Sequence, residues 1–135
     1  MANIAVATAG KIHVVSSIQQ LTVPAAEAIV AGAPVRFDTT AGTFTNANGT
    51  SAAEARVYGI ATASVAAGEP VTAIKRGILD GFTFTQAYDA AIYLSDTDGR
   101  LGDTAGTVST VVGRVIPGTA TTLGTAYDKL LSVEL

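Results

Sequence analysis

The chain has 135 residues, of which 48% are apolar and only 14% charged, against about 25% charged in an ordinary soluble domain. With no cysteine and one histidine, it excludes a disulfide framework, a cysteine-based zinc site, a thiol nucleophile and c-type haem attachment. Eight basic against eleven acidic residues give a net charge of −3, which excludes the basic footprint of a nucleic-acid binder.

The length fits one domain able to bury a real core. Residues 1–20 read as an N-terminal arm or edge strand, because they are apolar and poor in turn residues. Residues 21–135 read as a single β-rich domain. No Lys or Arg precedes the apolar stretch after Met1, so no secretory signal is expected there. No apolar run reaches about 18 residues, so no membrane partner is expected. Asn48-Gly49-Thr50 matches a glycosylation triplet but reads as a turn.

Taken in chain order, the strand signals are Lys11–Ser16, Pro34–Asp38, Arg56–Ser64, Pro70–Arg76, Ile78–Phe84, Ala91–Leu94, Thr107–Pro117 and Lys129–Leu135. Each is a short run rich in β-branched residues, bounded by Gly, Pro, Asn, Asp or Thr. The two helical candidates are Val23–Ile29, with Pro24 suited to a first turn, and Ser51–Arg56. Thr39–Ala53, without charge and rich in Thr, Asn and Gly, reads as a long surface loop up to that second candidate. About eight short strands predict an all-β or mainly β fold, a small barrel or sandwich. In Val71 to Arg76 the alternation is imperfect. Gly77 falls between two strand runs and marks a bulge or tight bend where the chain changes direction, and Gly59 and Gly113, inside strand patterns, read the same way. Ala31-Gly32-Ala33-Pro34-Val35 and Ala67-Gly68-Glu69-Pro70-Val71 repeat one turn-then-strand entry. Val57 to Ala61 resembles Val111 to Val115 in the same way, and Ala87-Tyr88-Asp89-Ala90 resembles Ala126-Tyr127-Asp128-Lys129.

Candidate chemistry is sparse. His13, with Ser16 and Ser17 nearby, lacks the Gly-x-Ser-x-Gly elbow of a serine hydrolase and reads as an ordinary strand or interface histidine. Asp96, Asp98 and Asp103 fall within eight positions and offer a weak candidate Ca²⁺ site, because a hard ion takes oxygen ligands. The EF-hand spacing is not met, since Leu94 falls where the first carboxylate belongs. The favoured reading is a β-hairpin turned at Asp98-Gly99. No nucleotide-binding motif is present, and no catalytic residue, resident metal or cofactor is expected. Lys75, Arg76, Arg100 and Arg114 form a candidate basic patch, or solvated charges that protect strand edges.

From Val57 onward the chain resembles the capsid decoration (cement) proteins of tailed bacteriophages. The resemblance is carried by Tyr58-Gly59-Ile60-Ala61, Ala66-Ala67-Gly68-Glu69-Pro70-Val71 and Ile74-Lys75-Arg76-Gly77. It continues through Ala87-Tyr88-Asp89-Ala90-Ala91-Ile92-Tyr93-Leu94, Asp98-Gly99 and Val112-Gly113-Arg114-Val115-Ile116 to an apolar C-terminal strand. It implies a compact β-barrel-like domain and a structural, non-enzymatic virion protein, made in the host cytoplasm. It further implies a homotrimer on the outer capsid surface, whose partner is the major capsid protein. A tail-tube or fibre module is the alternative, followed by a small hydrolase or carbohydrate-binding domain.

Overall fold

The fold is framed by one turn, used repeatedly. The Ala33 N–H donates to the Val30 carbonyl at 3.0 Å, and the Glu69 N–H to the Ala66 carbonyl at 3.1 Å. The third residues of these turns, Gly32 and Gly68, sit at φ of +87° and +86°. That is the glycine position of a type II turn. Ala87–Ala90 closes in the same way, with Asp89 at φ +69° in the glycine's place. The repeated Ala-Gly sequence entries are therefore repeated turns.

The computed structural model describes residues 2–6, 12–122 and 126–135, with side chains described outside 119–127. Lys11 of the first expected strand and residues 1 and 7–10 lie outside the described residues, as do the side chains of Ala126 and Tyr127. The strands are β1 (Ala5–Val6), β2 (His13–Pro24), β3 (Pro34–Phe37), β4 (Phe44–Asn46), β5 (Gly59–Ala61) and β6 (Pro70–Asp80). They continue with β7 (Phe82–Thr83), β8 (Ala91–Leu94), β9 (Leu101–Gly102), β10 (Val111–Thr122) and β11 (Ala126–Glu134). The protein is all-β, a curled half-barrel of antiparallel strands with a small second sheet, β1 on β7.

The main sheet runs β4-β3-β5-β6-β11-β10-β8-β9, and β2 joins it on β6. Ile74 pairs both Ile60 of β5 and Gln20 of β2, while Leu79 pairs both Leu131 of β11 and Val14 of β2. So β2 occupies one whole edge of β6, and β5 and β11 share the other. The expected runs Pro70–Arg76 and Ile78–Phe84 merge across Gly77, which continues the strand instead of bending it. A Cβ on Gly77 would stand 2.3 Å from the Ser16 carbonyl oxygen, and one on Gly113 would stand 1.9 Å from that of Ser132. These glycines are close-approach positions, where a neighbouring backbone fills the space of a side chain.

The core has two parts. Val71 and Ala73 on β6 pack with Ala25, Ile29, Ala33, Val35, Phe44 and Ala61. Ile74 and Leu79, further along the same strand, pack with Ile60, Ile92, Leu94, Val112, Val115, Leu131 and Val133. This handover explains the imperfect alternation in Val71 to Arg76. The register against β2 slips there, from Gln19↔Arg76 to Gln20↔Ile74, and Lys75 is left as a bulge residue. Ala73 and Ile74 are consequently both buried.

Two sequence expectations are corrected. Neither helical candidate is a helix. Val23 and Pro24 end β2, and Ser51–Arg56 makes a single turn, in which the Ala55 N–H donates to the Ser51 carbonyl at 3.0 Å. Pairing with β6 and the shortness of these alanine-rich runs outweigh helix propensity. The expected surface loop Thr39–Ala53 contains β4, whose Phe44 is fully buried and stacks on Phe37 at 5.2 Å between ring centroids. One aromatic side chain supplies enough apolar surface to fold the segment inward.

Candidate functional site

The acidic cluster ties loops together. β8 and β9 form a hairpin, with Gly99 at φ +68° and the Arg100 N–H donating to the Thr97 carbonyl at 3.2 Å. Asp96 accepts from the Thr107 N–H at 2.9 Å and from the Thr107 hydroxyl at 2.8 Å. Asp98 accepts from the Asn48 amide at 3.0 Å, and Asp103 from the Ala2 N–H at 2.9 Å. The three carboxylates thus engage three different segments. Among the described residues, no group of three or more His, Asp and Glu stands close enough to hold a metal ion. The Asn48 side-chain oxygen also accepts from the Thr50 N–H at 3.1 Å, a turn closed by a side chain.

His13 lies on exposed β2, its Nε2 3.8 Å from an Asp80 carboxylate oxygen. The Ser17 hydroxyl donates to the Gln20 side chain at 2.8 Å, so it is directed along its own strand and not at the imidazole. The candidate basic residues separate. Arg114 is held by Asp89 at 2.8 Å and by Glu134 at 3.0 Å. The hydrogen bond to Asp89 and then the charge of Glu134 raise its pKa. Lys75 instead lies over the Tyr58 ring, 5.5 Å from the centroid, while its neighbour Arg76 stands in register with Glu134 of that ion pair.

A further surface feature is β2 itself. Its twelve residues, His13-Val-Val-Ser-Ser-Ile-Gln-Gln-Leu-Thr-Val-Pro24, contain no Lys, Arg, Asp or Glu. Among the described residues its one strand partner is β6. Val15 and Ile18 fall at two of its three register shifts, between Val14 and Ser16 and between Ser17 and Gln19. Bulges of this kind turn side chains away from the ladder, and Val15 and Ile18 are 52% and 79% exposed. Of the 1–20 segment, Asn3 bridges Gly102, Ala5 and Val6 pair with β7, and His13–Gln20 lie in β2. The sequence marked residues 1–20 through their apolar, turn-poor character; no pattern in them marked the two bulges.

The fold therefore defines the class, an all-β half-barrel with a long uncharged edge strand. No protein-family model matches the chain, and no match is found among the curated proteins.

Proposed function

We propose that the chain is a structural virion protein that binds the outer surface of an icosahedral phage capsid and stabilises contacts between major capsid subunits. The resemblance from Val57 onward suggests the reading, and β2 is the observation that supports it best. An edge strand normally carries charge or proline along its length, or is covered, so that it does not pair with other chains. β2 has a proline only at its end, no formal charge, and bulged apolar side chains in solvent. Such an edge suits a surface covered on assembly, where small and β-branched residues lose little side-chain entropy on ordering. Many copies on one lattice then add weak contacts into firm attachment. The working form is a homotrimer with no catalytic role.

The test is to mix purified protein with capsids stripped of it, then measure co-sedimentation and image the particles by cryo-electron microscopy. Ordered density on the outer capsid surface, with copy number following the capsid lattice, is the expected result. Density confined to the tail would favour the tail-tube or fibre reading instead, and no association with either would overturn the proposal.

A further inference from the structure

A cleft of about 510 Å³ opens between β3, the entry to β5 and the bulge of β6. Arg36, Arg56 and Lys75 line it, together with Phe37, Val57 and Tyr58. The chain has eight Lys and Arg in all and a net charge of −3, so three cations around one concavity is a marked concentration. The three come from separate parts of the sequence and converge only in the fold. Lys75 reaches the cleft because it is the residue displaced by the β6 bulge. Tyr58 is fixed beneath it by its own N–H, which donates to the Val35 carbonyl at 2.7 Å, and by the rings of Phe37 and Phe44 at 5.1 and 5.6 Å.

The guanidinium of Arg36 is incompletely used. Its Nε is buried without a hydrogen-bond partner, and its nearest carboxylate oxygen, on Glu54, stands at 3.8 Å. That is an ion pair beyond hydrogen-bond length. Glu54 also accepts from the Thr50 hydroxyl at 2.9 Å, and Asp38 accepts from the N–H groups of Thr40 and Ala41, each at 2.9 Å. Both nearby carboxylates are thus partly engaged elsewhere. Set against the three cations, they leave one uncompensated positive charge. A single carboxylate neutralises that charge, whereas a phosphate dianion exceeds it. The planar guanidinium fork suits a carboxylate geometrically, and the Phe37 and Tyr58 rings offer apolar surface to the methylenes behind it.

We propose that this cleft is a binding site for the carboxylate of a Glu or Asp side chain presented by an acidic segment of a partner protein. The inference stands apart from the capsid reading, because it concerns the isolated chain. The experiment is a titration of the ¹⁵N-labelled protein with N-acetyl-glutamate N-methylamide, with the glutamine analogue and inorganic phosphate as parallel probes. Saturable amide shifts at Arg36, Arg56 and Tyr58 with the glutamate probe, and none with the glutamine analogue, are expected. Arg56→Gln and Lys75→Gln should each weaken the site about tenfold, the scale of one lost charge-assisted hydrogen bond. Their undisturbed spectra elsewhere would show that both variants fold. Tighter binding of phosphate than of glutamate, equal response to glutamine, or affinity unchanged in both variants would overturn the proposal. Failure to bind capsids alongside a normal glutamate titration would count against the capsid reading alone.

Discussion

β2 and β6 are hydrogen-bonded along nearly their whole length, yet they belong to different environments. β6 is enclosed between β2 on one edge and β5 with β11 on the other, and it buries Val71, Ala73, Ile74 and Leu79. β2 shares that ladder but exposes ten of its twelve residues. The ladder alone does not create a core; burial comes from what packs on the faces. A strand can therefore be well paired and still be mostly surface.

That contrast can be broken hardest at the close-approach glycines. Gly113→Val places a side chain where the Ser132 carbonyl oxygen lies, and a loss of about 4 kcal/mol or more is expected, read as loss of the cooperative transition in chemical denaturation. Leu79→Ala on β6 removes a fully buried side chain and should cost about 2–5 kcal/mol. Val15→Ala on β2 should change stability by no more than about 0.5 kcal/mol in the same assay. Equal losses for Leu79→Ala and Val15→Ala would contradict the division between the two strands.

A smaller, pH-dependent effect is expected at Asp38. Hydrogen bonds from the Ala41 and Thr40 N–H groups, and then the charge of Arg36, hold its carboxyl below the usual carboxylate range. A carboxyl with a lowered folded-state pKa stabilises the fold above its ordinary unfolded value. That contribution is lost as pH falls through the folded value. Asp38→Asn should therefore narrow its stability gap to the parent protein as the solution is acidified, measured by thermal melts between neutral pH and pH about 3. A gap that widens on acidification would rule out this role.

Much of this organisation was legible in the sequence. Gly32 and Gly68 announced the two matched turns because only glycine takes their φ freely. Gly59 and Gly113 stood out inside apolar runs. β4 was hidden because its three residues lie in a Thr- and Asn-rich stretch and depend on the distant contact of Phe44 with Tyr58. The cationic cleft was hidden for a related reason. Arg36, Arg56 and Lys75 have no common spacing, and a one-residue slip between β2 and β6 brings Lys75 beside the others. Sequence reasoning grouped Lys75 and Arg76 with Arg100 and Arg114; in the fold Lys75 lies over Tyr58, while Arg76 stands in register with Glu134, the ion-pair partner of Arg114.

The most direct measurement is capsid binding by a Val15→Lys, Ile18→Lys double variant beside the parent protein, with thermal stability recorded for both. Two charges on the exposed edge should leave the melting transition nearly unchanged while lowering occupancy on stripped capsids at least about tenfold, the equivalent of 1.4 kcal/mol. A variant that is equally stable and decorates capsids as fully as the parent would contradict the assignment of β2 as the binding edge.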